Sequence, residues 1–193
     1  MSSIIQSLPK TIITSLFLLI VIISIAGHPM DYGLTWLFFI IRWLHVVSAV
    51  MWVGLLWYFN FVQIPSMSKI PDEQKPAITK VIAPEALFWF RYAAIATVLT
   101  GLLVALSNGY LLEALSLKLP FVAIGIGMWI ALLMAYNVWF ILWPNQKKAL
   151  GIVEVPAEEK TRAAKYAMIT SRVNAVLSLP MLYLMTAQSH GGI

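Results

Sequence analysis

The sequence predicts an all-α protein, a polytopic membrane helix bundle of about five transmembrane helices that forms a single domain over residues 1–193. Hydrophobic residues make up 61% of the chain and charged residues only 11%, whereas an ordinary soluble domain is about 25% charged. The mean hydropathy is +0.85. Five apolar windows, separated by polar or proline-containing connectors, approach or exceed the roughly 20 residues that a spanning helix needs. Together these observations predict an integral membrane protein.

The five predicted spans follow one another along the chain and cover residues 11–26, 34–62, 85–107, 120–143 and 162–187. The first follows Lys10 as a signal peptide would, but it lacks an A-x-A cleavage signal, so we expect it to be retained as a span. The third is expected to begin at Pro84, because a proline and an acidic residue, here Glu85, are typical of a first helical turn. The fourth contains Gly125 and Gly127, which favour close helix packing.

The basic residues outside the interior of the predicted spans are unevenly distributed between the two ends of the bundle. Nine lie in connectors or in the adjoining first turn of a span on one side: Lys10, Lys69, Lys75, Lys80, Lys147, Lys148, Lys160, Arg162 and Lys165. The other side has only Lys118. Because short cytoplasmic loops are enriched in Lys and Arg, we expect a cytoplasmic N-terminus and a C-terminus on the opposite side. This distribution also accounts for the net charge of +5, so nucleic-acid binding is not expected.

The second span carries an unusual polar stripe. Residues three or four apart share one face of a helix, and here that face holds Arg42, His45, Ala49, Trp52 and Leu56. An ionisable side chain at the centre of a span costs about 2.5–3.5 kcal/mol on insertion scales, so such residues usually face protein or a cavity and mark function. The stripe is therefore the first place to look for a functional site.

His45 has two interpretations. It lies eleven residues into its span, roughly 16 Å deep at about 1.5 Å per residue. A neutral histidine there can donate one hydrogen bond across a helix interface, or it can be a metal ligand, the axial ligand of a haem b. The chain has no Cys, so a thiolate metal site or a covalent haem attachment is excluded. His28 and His190 fall near the outer boundary, which leaves an open position or one of three residues as the second ligand: Met128, Met134 or Met181.

Three arginines, Arg42, Arg91 and Arg172, lie in the interior of predicted spans, beyond their first four residues, and no Asp or Glu does. Their partners must be sought among haem propionates, an anionic substrate, lipid headgroups and backbone carbonyls. We expect Trp52 and Trp57 to pack against a bound ring. Four further polar residues within spans favour interhelical hydrogen bonding: Asn137, Ser171, Asn174 and Ser178.

Four stretches resemble the membrane domain of the bacterial membrane-bound urate oxidase (urate hydroxylase) family. They are RWLHVVSAVMWVGLLWYFNFVQ (42–63), LFWFRYAAIATVLTG (87–101), NVWFILWPNQKK (137–148) and SRVNAVLSLPMLYLMTAQSH (171–190). The stretches occur in the family's order, and the likeness as a whole covers roughly residues 34–190. The resemblance implies an oxidoreductase-associated domain of the bacterial inner membrane that full-length members join to a c-type cytochrome. It matches the family's motif residues to Arg42, His45, Arg91, Asn137, Asn174 and His190. The motifs include no cytochrome domain and no Cys, so the resemblance implies that urate oxidation would need a separate cytochrome or a larger complex.

The leading functional interpretation is a redox-associated membrane subunit that binds haem b for electron transfer. The residues assigned to cofactor binding are Arg42, His45, Trp52, Arg91, Arg172, Asn174 and His190. The expected partners are membrane lipid and a cytochrome c or a larger redox complex, and a homo-oligomer is left open. Two alternatives remain: an enzyme that oxidises urate or a similar purine with a separate cytochrome, and a non-catalytic structural subunit of a respiratory or photosynthetic complex.

Overall fold

The computed structural model describes residues 5–26 and 33–190, and within these ranges helices are joined by short turns and loops, with no β-strand. The α-helices are α1 (Leu8–Ala26), α2 (Leu34–Trp57), α3 (Ile64–Ser66), α4 (Lys75–Ala77), α5 (Ala83–Ser107), α6 (Leu111–Leu115), α7 (Val122–Tyr136), α8 (Trp143–Ala149) and α9 (Ala157–His190). Three π-helical turns lie between them: π1 (Tyr58–Gln63), π2 (Ile78–Ile82) and π3 (Asn137–Leu142). Five helical stretches are long and apolar enough to cross a membrane. The predicted fold class is confirmed.

The chain divides into two compact units, residues 1–39 and 40–193. In the first unit, α1 is a helix of 19 residues whose candidate span, Leu8–Ile25, has no buried residue. Ile13 and Phe17 are typical of its surface, at 66% and 65% exposed. A helix satisfies its own backbone hydrogen bonds, so such an apolar surface suits hydrocarbon.

In the second unit, helices continue through the π turns and past prolines. The other candidate spans are Leu34–Ser66, whose first six residues belong to the first unit, and Lys75–Ser107, Val122–Ala149 and Ala157–Gln188. The third span therefore starts ten residues before the predicted residue 85, and the fourth ends six residues after residue 143. The fifth starts five residues before the predicted residue 162. In its first turn, Glu159 forms an ion pair with Lys148 at 2.6 Å.

The π turns explain how the helices pass these prolines. Each turn ends just before an X-Pro pair: Ile64-Pro65, Ala83-Pro84 and Trp143-Pro144. A proline ring clashes with the carbonyl four residues earlier in a regular α-helix. In each case that carbonyl belongs to the π turn, where the residue before the proline donates its N–H to the carbonyl five residues back. The wider turn lets the helix continue.

The core of the second unit lies where α2, α5, α7 and α9 converge with π3. Its largest fully buried side chains include Trp52, Leu56, Phe90 and Met134. Glycine permits the close crossing of α7 and α9, because a Cβ at Gly127 would lie 3.1 Å from Leu184 Cβ. The close packing that the sequence predicts at Gly127 is confirmed.

Candidate cofactor cavity around His45

A cavity of about 700 Å³ lies among α2, α5, α7 and α9. This volume falls within the range of about 300–1,000 Å³ that is typical of small-molecule and cofactor sites. Its walls are mostly aliphatic and thioether side chains, and the polar groups are few. We call it the His45 cavity. Of the polar stripe predicted on α2, the residues Arg42, His45 and Ala49 line it, whereas Trp52 and Leu56 are fully buried in the core.

The His45 ring is held by one hydrogen bond from α2 to α5. Its Nδ1 lies 2.9 Å from the carbonyl oxygen of Thr97 and 3.3 Å from Thr100 Oγ1. A carbonyl oxygen can only accept, so Nδ1 carries the proton and Nε2 of the neutral ring carries the lone pair. Nε2 has no hydrogen-bond partner among the residues that the structure describes. The ring is thus oriented through one nitrogen, and the other is free to act as a ligand.

Gly101 makes room for this ring. A Cβ at position 101 would lie 2.8 Å from His45 Cε1 and 3.1 Å from His45 Nδ1, closer than side-chain contacts normally allow. Gly54 also lines the cavity, but a Cβ there would have nothing within 4 Å. Only Gly101 is therefore required by the position of His45. The sequence contained a signal for it, since Gly101 ends the second of the four motifs.

Three methionines line the same cavity: Met128 on α7, and Met181 and Met185 on α9. Met128 and Met181 were identified from the sequence as ligand candidates, but Met185 was not. Met134, the third sequence candidate, is fully buried and does not line the cavity. Met181 and Met185 are four residues apart and so share one face of α9.

Arg42 lies at a polar rim of the cavity. It donates from Nη2 to Asn108 Oδ1 at 3.2 Å, and Tyr110 lies at the same rim. Burial raises the pKa of the Tyr110 hydroxyl, and the positive charge of Arg42 offsets part of that rise. The ion pairs of the described chain are Lys75–Asp72 and Lys148–Glu159, so among these residues Arg42 is paired with a neutral amide rather than a carboxylate.

Arg91 lies outside the cavity, in an aromatic environment. Its side chain is 7% exposed, and its Cζ lies 3.4 Å from the centroid of the Trp143 ring and 5.9 Å from that of Trp139. Its Nε and Nη1 are buried without a hydrogen-bond partner. The faces of these rings therefore provide the stabilisation that a carboxylate would otherwise give.

The other predicted site residues are also outside the cavity. Arg172 is exposed on α9. Asn174 is fully buried, donates to the Met134 carbonyl at 3.0 Å and accepts from Asn137 Nδ2 at 2.8 Å, which is interhelical bonding. Trp57, in contrast, lines the cavity and donates to Ser178 Oγ at 2.9 Å. The side chain of His190 lies outside the described residues, as does His28.

Comparison of the chain with protein-family models, with curated proteins and with solved structures gives no match. Among the described residues, no group of three or more His, Cys, Asp or Glu side chains is placed to hold a metal ion. The resemblance to the membrane-bound urate oxidase family therefore rests on the four motifs. The function is inferred from the His45 cavity.

Proposed function

We propose that this polytopic membrane protein binds haem b in the His45 cavity and serves as an electron-transfer subunit. The observation that carries the proposal is the state of His45, whose Nδ1 is occupied by the Thr97 carbonyl while its ring lines a cavity of about 700 Å³. Metal-bound histidines almost always donate their other ring N–H to a carbonyl, a carboxylate or water, which fixes the ring and raises its basicity.

The residues around His45 fit a haem group in three respects. The cavity is far larger than a bare ion needs, and its apolar walls suit the faces of a porphyrin. Arg42 supplies a cation at the rim for a propionate. The lining methionines carry thioethers, a class of soft donor that can bind haem iron. When bound, haem would supply one-electron redox chemistry, while the chain would hold the group, orient it and exclude water from it.

A purely structural histidine explains less of the site. The Thr97 hydrogen bond alone would satisfy such a residue, but it does not account for the cavity beside the ring. A ligand that occupies the cavity and binds Nε2 accounts for it.

An anionic purine is the second candidate for the cavity. Arg42 favours it, because its charge is met at the rim only by the amide of Asn108 within the described chain. An arginine and a carboxamide together suit a urate-like anion, which would then be oxidised with a partner cytochrome. Reduction of the protein that depends on added purine would distinguish this candidate from electron transfer alone.

The distribution of Lys and Arg supports an N-terminus in the cytoplasm, and the resemblance to the bacterial membrane-bound urate oxidase family supports a place in a bacterial-type inner membrane. A cytochrome c or a larger redox complex would act as the electron partner. Surrounding lipid is the expected environment of the exposed apolar side chains.

The test is a reduced-minus-oxidised absorbance spectrum of detergent-purified protein that was expressed with haem supplied, together with a pyridine haemochrome assay. We expect a b-type spectrum at about one haem per chain. His45→Ala should lose the haem and remain in the membrane. His28→Ala, the matched histidine control in a predicted connector, should retain it. A flat wild-type spectrum, or full haem content in His45→Ala, would refute the proposal.

A further inference from the structure

We propose that Met185 is the second axial ligand in the His45 cavity, so that an imidazole and a thioether hold the iron between them. This inference rests on the haem b function proposed above and goes beyond it by naming the coordination. The chemical type of the second iron ligand follows from the described cavity lining. In it His45 is the single imidazole, and the methionines are the remaining soft donors.

The candidate ligands belong to different helices from His45. His45 is on α2 and is fixed by α5, whereas Met185 is on α9 and Met128 on α7. The cavity therefore brings the imidazole of α2 and the methionine-bearing helices α7 and α9 together around one space, where both kinds of side chain could hold the group.

Two hydrogen bonds set the relative heights of α2 and α9, which run antiparallel. Asn60 Nδ2 donates to Ser171 Oγ at 2.8 Å, and Trp57 Nε1 donates to Ser178 Oγ at 2.9 Å. Counting back along π1 and α2 from each anchor to His45, and the same number of residues forward along α9, reaches position 186 from Asn60 and position 190 from Trp57, one and five residues beyond Met185. At about 1.5 Å per residue, Met185 lies within roughly 2–8 Å of the height of His45, and Met181 lies one further turn away.

Met128 is placed by the crossing of α7 and α9. A Cβ at Gly127 would touch Leu184 at 3.1 Å, so Met128 lies near the height of residue 183, further from His45 than Met185. Burial separates the three in the same order. Met128 and Met181 are 8% and 4% exposed and belong to two clusters of buried residues, whereas Met185 is partly buried and packs against both clusters. Its unbranched side chain can change rotamer to meet a ligand.

Met185→Leu tests the inference, because the exchange keeps the volume and removes the thioether. We expect wild-type haem content, since His45 remains, but a lower reduction potential, since a methionine ligand raises the potential of haem iron. Ferrous haem should bind carbon monoxide stoichiometrically in Met185→Leu and not in wild type. Met185→His should retain six-coordinate iron with a lower potential.

The matched controls are Met181→Leu and Met128→Leu, which line the same cavity and should leave the potential and the exclusion of carbon monoxide unchanged. Iron X-ray absorption of the wild-type protein should show one sulfur ligand, and this measurement needs no variant to fold. Haem-loaded protein without a sulfur ligand, or with the potential shift in a control instead of in Met185→Leu, would overturn Met185 while leaving His45 in place. Absence of haem from wild type would overturn the function itself.

Discussion

Gly101→Ala tests the geometry of the His45 cavity most directly, because it adds a single methyl group beside the ring. The new Cβ would lie 2.8 Å from His45 Cε1, whereas ordinary contact begins at 3.4 Å, so the ring must withdraw by about 0.6 Å. The Nδ1 to Thr97 oxygen distance is now 2.9 Å. A withdrawal of that size along the bond would lengthen it to about 3.5 Å, beyond the usual range of N–H···O hydrogen bonds.

The effect on stability and the effect on haem binding should differ. Losing the hydrogen bond costs about 0.5–1.5 kcal/mol, and alanine regains about 0.5–1 kcal/mol over glycine within a helix. These contributions oppose each other, so the thermal midpoint of the haem-free protein should change little. Haem affinity should fall about 10- to 100-fold, the usual loss when a partner that orients a metal ligand is removed.

Gly54→Ala is the matched control for this experiment. It is also a helical glycine that lines the cavity, but its added Cβ would meet nothing within 4 Å. Haem titration of the solubilised apoproteins, followed by absorbance and paired with thermal unfolding, should show weak binding for Gly101→Ala and wild-type binding for Gly54→Ala. Equal haem affinities in the two variants would contradict the proposed fit of His45 against α5.

Three further predictions concern residues that the sequence marked as polar or charged. Asn174→Ala leaves its partner amide on π3 without an acceptor, which should destabilise the fold by about 1–3 kcal/mol and leave haem content unchanged. Trp143→Leu removes the ring face over the buried Arg91 guanidinium, a contact worth about 2 kcal/mol when desolvated, and should lower the thermal midpoint. Arg42→Gln removes the cation at the cavity rim and should lower the haem reduction potential, whereas Arg172→Gln, outside the cavity, should not.

Each of these predictions has a specific control. Asn145→Ala removes an amide that bonds to the Ile141 carbonyl of the neighbouring turn, so its loss should cost less than that of Asn174. Trp89→Leu removes an indole that is 56% exposed and should be milder than Trp143→Leu. Equal destabilisation within either pair, measured as thermal midpoints in one detergent, would contradict the assigned contacts. A potential shift in Arg172→Gln equal to that in Arg42→Gln would show a general charge effect.

Hydropathy was sufficient for the number of spans but not for their ends. The five apolar windows predict five helices because a bilayer imposes its thickness on any sequence that crosses it. Pro84 is typical of a helix start, but the helix begins at Lys75 and continues past this proline. It can do so because the wider turn π2 includes the carbonyl with which the proline ring would clash in a regular α-helix. A π turn depends on one hydrogen-bond shift within a helix, and no local composition rule predicts it.

The sequence identified the residues of the site whose burial within a membrane costs free energy, but not the residues of types that are common in apolar helices. Arg42 and His45 stood out because a charge or an imidazole within a span requires a reason. Glycine and methionine are common in apolar helices. The contact of Gly101 with the His45 ring and the place of Met185 in the cavity lining arise only when helices distant in sequence come together. Arg91 was assigned an anion, but Trp139 and Trp143, four residues apart on one face, could have indicated its aromatic surroundings.

The three arginines within spans have different surroundings, and this difference shows which end of the His45 cavity is polar. Arg91 is stacked on Trp143 and Arg172 is exposed on α9, so Arg42 alone of the three reaches the cavity. Arg42 lies toward the start of α2, and its partner Asn108 follows the end of α5. The polar rim therefore belongs to the end of the bundle that the distribution of Lys and Arg predicts to be non-cytoplasmic. A ligand with acidic groups should present them at that rim, and we expect a redox partner to approach the cavity from the same side of the membrane.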